Sequence, residues 1–297
     1  MKRTGLVLAV ACTACLAILA VTGCFGTPTP LAPGLAGSVG APHHGVVTNA
    51  VELPVEGPGF VRYRKAGTNH WGNPHLVAAL EHAAESVREK MPGGAPMIIG
   101  DLSGHYGGKI PRHQSHRSGR DVDLPWFVTT PEGAPIQNPG FVNIGADGLA
   151  KLENGEGYVR LDVPREWLLV KELITSREAD IEWMFCSADV EGLLIDYARA
   201  RGEPLDLVWR AETVLWQPGD SLAHDDHIHL RIACAPEETV LGCEGGGPRW
   251  EWLPPLPELP VAESTVCEAG EDDPPLGPLP PAPEPSPPEG PASAQGG

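Results

Sequence analysis

Five histidines and one aspartate stand at spacings suited to metal chemistry. One window reads His113-Gln-Ser-His116-Arg-Ser-Gly119-Arg-Asp121-Val-Asp123, and a second reads His224-Asp-Asp-His227-Ile-His229. Zinc takes imidazole and carboxylate ligands at about 2 Å, and a catalytic site uses three from protein and leaves a position open. His116, Asp123 and His229 can supply such a set. A second histidine beside it, such as His227, can manage the proton of a water made acidic by the ion. By itself, a His-x-His pair is equally a pair of solvated surface residues; the two windows together argue for a site.

Elements must carry these side chains. Residues two apart on a strand share a face. In 227–234 (HIHLRIAC) the histidines fall on one face, and Ile228 and Leu230 on the other. Asp121 and Asp123 alternate likewise with Val122 and Leu124, in a strand expected over 121–128. Gly119 allows the chain to turn back tightly between His116 and Asp123. Asn73-Pro74 predicts a helix start before LVAALEHAAESVREK, which stops at Met91-Pro92-Gly93-Gly94. Residues 97–103 and 181–187 read as strands, and 164–176 and 190–202 as helices, the last closed by Gly202. Mixed elements without a βαβ rhythm predict an α+β fold: a small antiparallel sheet carries the site and helices flank it.

The ends have a different character. Lys2 and Arg3 precede an apolar run, Leu6 to Ala20, that is short for a membrane span and reads as an export signal. Val21-Thr22-Gly23-Cys24 resembles a bacterial lipobox, which implies a signal peptide over 1–23 and a diacylglycerol on Cys24; an ordinary signal cut elsewhere is the alternative. Phe25, where an Asp would favour inner-membrane retention, points to an outer-membrane anchor in a two-membrane host. Residues 24–58, with TPTPLAPGLAGSVGAPHHG, read as a flexible tether reaching roughly 30 Å. The folded domain is expected over 59–252. The tail, 253–297, is Pro-rich; nine acidic residues and no basic one lie between Glu251 and Gly297, and it reads as disordered. The formal charge of −18 over 297 residues argues against nucleic acid, which needs a basic surface.

Ser115-His116-x-x-Gly119-x-Asp121-Val122-Asp123, followed by His224-x-x-His227-x-His229-Leu230-Arg231, resembles the penicillin-insensitive murein endopeptidases, within the wider LAS metallopeptidases. The resemblance extends loosely to Gly72-Asn-Pro-His-Leu-Val, Ile99-Gly-Asp-Leu-Ser and Gly107-Gly108, and covers about 60 to 245. It implies a LAS/hedgehog-like fold and Zn2+ held by His116, Asp123 and His229. It implies His227 as the active-site base and His224 as a group holding the transition state. His113 matches a further family histidine, an accessory ligand or second-layer group, with a plain loop residue as the equal alternative. The implied reaction is hydrolysis of the D-alanyl–diaminopimelyl amide in peptidoglycan cross-links. A D,D-carboxypeptidase, with Arg117, Arg120 or Arg210 meeting the terminal carboxylate, and a non-catalytic peptidoglycan-binding lipoprotein are the rivals. The implied setting is periplasmic, with the membrane reached through Cys24. Beyond Cys24, four exported cysteines allow three pairings. The resemblance implies Cys234–Cys243, and with it Cys186–Cys267; free thiols or another pairing stay open. Asp225 and Asp226 are expected to be solvated turn carboxylates, and Asp121 a structural acceptor.

Overall fold

The computed structural model describes residues 36–152, 155, 157–219 and 222–256. The signal, Cys24, Cys267 and the tail from 257 lie outside the described residues. In chain order the principal elements are β1 (Ser38–Ala41), β2 (His44–Val47), β3 (Phe60–Arg62), α1 (Pro74–Lys90), β4 (Met97–Ile99), β5 (Asp121–Pro125), β6 (Val128–Thr129), β7 (Tyr158–Leu161), α2 (Val163–Ile174), β8 (Ile181–Phe185), α3 (Ala188–Ala200), α4 (Leu205–Val214), β9 (Leu215–Trp216), β10 (His227–Ile232) and α5 (Pro236–Val240). The fold is α+β with several small sheets.

The central sheet has the order β9-β8-β10-β5. Its β8–β10 and β10–β5 pairs are antiparallel, and β9 joins β8 in parallel. Val122, Leu124, Met184, Ile228 and Leu230 are wholly buried and join one core with Leu76 and Leu80 of α1, Leu169 and Leu173 of α2 and Leu194 of α3. Burying a side chain of this size contributes about 1.5–3 kcal/mol. The helices thus clamp the apolar face of the sheet and leave its polar face for other use.

The strand expected over 121–128 breaks after Pro125. Proline has no N–H to continue the ladder, and the Trp126 indole donates to the Asp225 carbonyl at 3.0 Å. The chain then enters a second antiparallel sheet, in which β6 pairs with β7. The helix α4 fills the stretch between α3 and β9 and was not expected from the sequence.

The tether boundary is corrected. Residues 38–58, assigned to the tether by composition, carry four short strands, Ser38–Ala41, His44–Val47, Val51–Glu52 and Glu56–Gly57, that bond to the domain. β1 and β2 form an antiparallel hairpin; Gly40 N donates to Gly242 O at 2.8 Å and Val47 N to Tyr106 O at 3.2 Å. Val47 and Leu53 are buried. Small and polar residues hide this segment from a hydropathy reading, because its pairing partners lie far along the chain.

Asn73 locks several of these parts together. Its side chain accepts from His75 N as the α1 cap, and its Nδ2 donates to Ser38 Oγ at 2.9 Å and Glu238 Oε1 at 2.6 Å. Its backbone N donates to Gly119 O at 2.8 Å. One buried amide therefore joins the first hairpin, α1, α5 and the turn that precedes β5.

Cys234 and Cys243 are joined by a disulfide, with Cα atoms 5.9 Å apart. Cys186 is a free thiol sealed in the core, so the expected Cys186–Cys267 bridge is not formed at this end. Burial, and after it the charges of Glu191 and Glu166, push its thiol pKa far up.

Candidate metal centre and cleft

The register of β10 on β5 sets the site. His229 pairs with Asp123, Arg231 with Asp121 and His227 with Pro125. Side chains of paired residues lie on the same face, so the two windows, a hundred residues apart, meet there.

Three imidazoles converge on one carboxylate oxygen. Asp123 Oδ1 is 3.2 Å from His116 Nε2, 3.3 Å from His227 Nε2 and 3.3 Å from His229 Nδ1. The remaining ring nitrogens are held from outside. His116 Nδ1 donates to the Leu102 carbonyl at 2.8 Å. His229 Nε2 donates to Asp121 Oδ1 at 2.8 Å, which also accepts from Arg231 Nε at 2.7 Å. His227 Nδ1 bonds Asp226 Oδ1. Such outer partners fix the tautomer and aim the free nitrogen. His116 Nε2 and Asp123 Oδ1 are buried and make no well-aligned hydrogen bond within the protein. Unpaired buried polar atoms are costly, and a cation between them removes that cost. The ligand atoms of His113, His116 and Asp123 lie within 4.8 Å of one another, as do those of His224, His227 and His229. Donor type and orphaned atoms both fit a metal cation.

The histidines differ in position. His116 and His229 are buried in the floor. His227 and His113 line an open cavity of about 210 Å3 with Tyr63, Arg64, Asp101, Arg112, Asp123, Phe141 and Asp226. His113 Nε2 bonds Asp101 Oδ2 at 3.1 Å, and its Nδ1 stands 3.6 Å from Asp123 Oδ2. The His224 ring centroid is 5.2 Å from that of His227 and 5.6 Å from that of His229.

The local backbone is tuned to this end. His116 and His224 adopt φ of +63° and +51°, the left-handed region that few non-glycine residues occupy. Gly119 has φ +74°. Gly100 passes so close to β5 that a Cβ there would stand 2.8 Å from the Asp123 carbonyl oxygen.

Burial raises the Asp121 and Asp123 carboxyls, but opposing charge wins. Arg231 and His229 pull Asp121 down, and His116, with bonds from His116, His227 and His229, pulls Asp123 well below its ordinary value. For His227, burial is the largest influence and lowers the pKa. Bonds to Asp123 and Asp226, with their charges, outweigh it and raise the value to about 9. Burial, then the charges of His229 and His227, lower His224 to about 4.

Several residues stand where the sequence did not put them. Asp226 holds His227 and is not merely a solvated turn carboxylate. Asp225 is bound through Asn143 Nδ2 at 3.2 Å. Asp101 joins the cavity by bonding His113 and Arg64; only its place in Ile99-Gly-Asp-Leu-Ser pointed to it. Arg120 is wholly buried and donates to the Ile232 carbonyl. Arg210 donates to the Ile174 carbonyl and lies over Trp252. Neither lines the cavity, nor does Arg117. Arg64 and Arg112 take that place.

A family profile described as penicillin-insensitive murein endopeptidase matches residues 38–139, the part that holds His113, His116 and Asp123. A protein of that name from Klebsiella pneumoniae subsp. pneumoniae is 26% identical over 289 residues, covering 88% of this chain and 97% of the relative. A second, from Klebsiella pneumoniae strain 342, is 25% identical over 264 residues, covering 81% and 88%. With the first window inside the profile match and the similarity running along most of both relatives, the chain is similar to the penicillin-insensitive murein endopeptidases.

Proposed function

We propose that this protein is a zinc-dependent murein endopeptidase that hydrolyses the D-alanyl–diaminopimelyl amide of peptidoglycan cross-links. The names of the two relatives support murein as the substrate. One observation carries the metal assignment: His116 Nε2 and Asp123 Oδ1 are buried without aligned partners beside His229 Nδ1, and the outer nitrogens of both histidines are held by protein acceptors. His116, Asp123 and His229 would hold the ion. Once bound, it supplies Lewis acidity to the scissile carbonyl and makes water a nucleophile near neutral pH.

The chain's own residues do the rest. A cation neutralising Asp123 would remove the charge that holds a proton on His227 Nε2, and His227, on the cavity wall, then takes the water's proton there, since Nδ1 is engaged by Asp226. It then passes that proton to the leaving amine. His224, which burial and its histidine neighbours keep neutral, donates to the developing oxyanion. Asp121 keeps His229 in the tautomer that leaves Nδ1 free for the ion. His113, between Asp101 and Asp123, braces the wall. The cavity is open, as a polymer strand requires. Export and lipidation at Cys24 would bring it to the wall from the periplasmic face of the outer membrane.

The test is digestion of purified sacculi by the chain from residue 25 onward, with and without chelator, followed by mass spectrometry. Chelator-sensitive loss of dimeric muropeptides with matching gain of monomers is expected. Loss of single D-alanines instead would assign a carboxypeptidase, and zinc-loaded protein that binds sacculi without product would remove the enzyme reading.

A further inference from the structure

Two arginines line the cavity beside Asp123 and His227, and their surroundings differ. The Arg64 guanidinium is 2.9 Å from Asp101 Oδ2 and is neutralised there. Arg112 is exposed and makes no hydrogen bond or ion pair among the described residues. Its backbone stands at φ +69°, a region ordinarily left to glycine. A side-chain-bearing residue held there beside a cleft points to function.

The rest of the cavity wall sharpens the chemistry. Asp101 serves Arg64 and His113, Asp226 serves His227, and Asp123 faces four imidazoles. These carboxylates would repel an anionic ligand. Phe141 is an apolar wall, its ring 5.3 Å from that of His227 and 5.2 Å from that of Tyr63. Among the described lining residues, Arg112 is thus the cation left for a ligand. A guanidinium meets a carboxylate with two parallel hydrogen bonds, which fixes orientation as well as affinity.

We propose that Arg112 recognises a carboxylate on the substrate, the one carried by the carbon next to the scissile nitrogen on the amine side of the cross-link. This rests on the endopeptidase reading above for the identity of the peptide, and on the cavity alone for the recognition of an anion. A diaminopimelyl residue carries a carboxylate at that carbon. Amidation of that group would remove the charge and leave the scissile bond intact, so the arginine would let the enzyme separate the two forms.

The probes are two synthetic peptides, N-acetyl-D-alanine joined to diaminopimelate through that nitrogen. One has the free carboxylate and the other a carboxamide on the same carbon. Binding is measured by calorimetry and cleavage by chromatography, for the full chain and for Arg112→Gln and Arg112→Lys, each checked by thermal melting. The parent protein is expected to favour the carboxylate peptide by about 10- to 100-fold in Kd and KM, the range of a charge-assisted bond. Arg112→Gln is expected to bring the ratio near one, and Arg112→Lys to keep part of it. Equal binding of both peptides by the parent, or a ratio unchanged in Arg112→Gln, would overturn the assignment. Cleavage of neither peptide by the parent would count against the endopeptidase reading, while the binding ratio would still decide the arginine.

Discussion

His116 holds its ring in the floor of the site from a backbone at φ +63°, and its two nitrogens have separate tasks: Nδ1 on the Leu102 carbonyl, Nε2 toward Asp123. His229 repeats the scheme with the nitrogens exchanged, Nε2 on Asp121 and Nδ1 toward Asp123. On the proposed metal reading, removing either ring takes away a ligand and leaves Asp123 buried with less charge to balance it. His229→Ala is therefore expected to bind less than a tenth of the parent's zinc and to lose murein hydrolysis; elemental analysis after dialysis and the sacculus digest check both. The outer partner of His227 is a milder lesion. Asp226→Asn is expected to keep the zinc content and to lower kcat about 10- to 100-fold, the range for loss of such a support, which steady-state kinetics with parallel metal analysis would reveal. The histidines were legible in the sequence because ligand chemistry restricts residue type and strand alternation restricts spacing. Asp226 was not, since an acid beside a turn reads the same whether it faces solvent or a ring. Asp101 was hinted at only by its place in Ile99-Gly-Asp-Leu-Ser, and Arg112 needed the fold, for nothing local in the sequence draws it to the cavity.

At the scale of elements, the site depends on how closely β5 can be approached. The turn through Gly119 lies against Val47 of β2 and the backbone of Asn73, and a Cβ there would meet Val47 side-chain atoms at 3.0 Å and Asn73 N at 3.1 Å. Gly119→Ala thus combines a left-handed backbone with a crowded core and should destabilise the protein by about 1–3 kcal/mol. The denaturant midpoint is expected to fall at constant slope. The helices α1, α2 and α3 were readable from apolar spacing, and α1 also from its Asn73 cap on His75 N; the caps of Asp162 on Arg165 N and Ser187 on Val190 N come from the structure. The first hairpin was not. Its Gly, Ala and His residues match tether composition, and it is held by Cys243's neighbour Gly242, by Tyr106 and by Asn73.

At the scale of the whole molecule, Glu166 in α2 is a carboxyl outside the site that the fold holds far from its ordinary range. It is wholly buried; Oε2 accepts from Phe127 N at 2.9 Å and Oε1 has no partner. Burial is the main cause that lifts its pKa from 4.5 to about 8, with Asp162 adding to it and the Phe127 N–H opposing it. The folded state therefore binds this proton more tightly than the unfolded chain. The associated stability is fully present below about pH 4.5 and is lost as pH rises through about 8. Glu166→Gln mimics the protonated form. Its melting temperature is expected to exceed the parent's at pH 8.5 and to match it at pH 4.5, with an advantage of a few kcal/mol at most; calorimetry at the two pH values reads the difference.

What the sequence by itself determined about this protein is the α+β class, the main helices and the alternation that puts His229 beside Asp123 on one sheet face. These rest on residue type and on periodicities of two and 3.6, which survive without tertiary contact. Among the described residues no helix is long and apolar enough to cross a membrane. The tertiary structure alone decided where the domain begins, which acids hold the histidines, that Cys186 is a buried thiol and which arginine faces the cleft. Each of those follows from a pairing between residues distant in the chain, and such pairings leave no local signature.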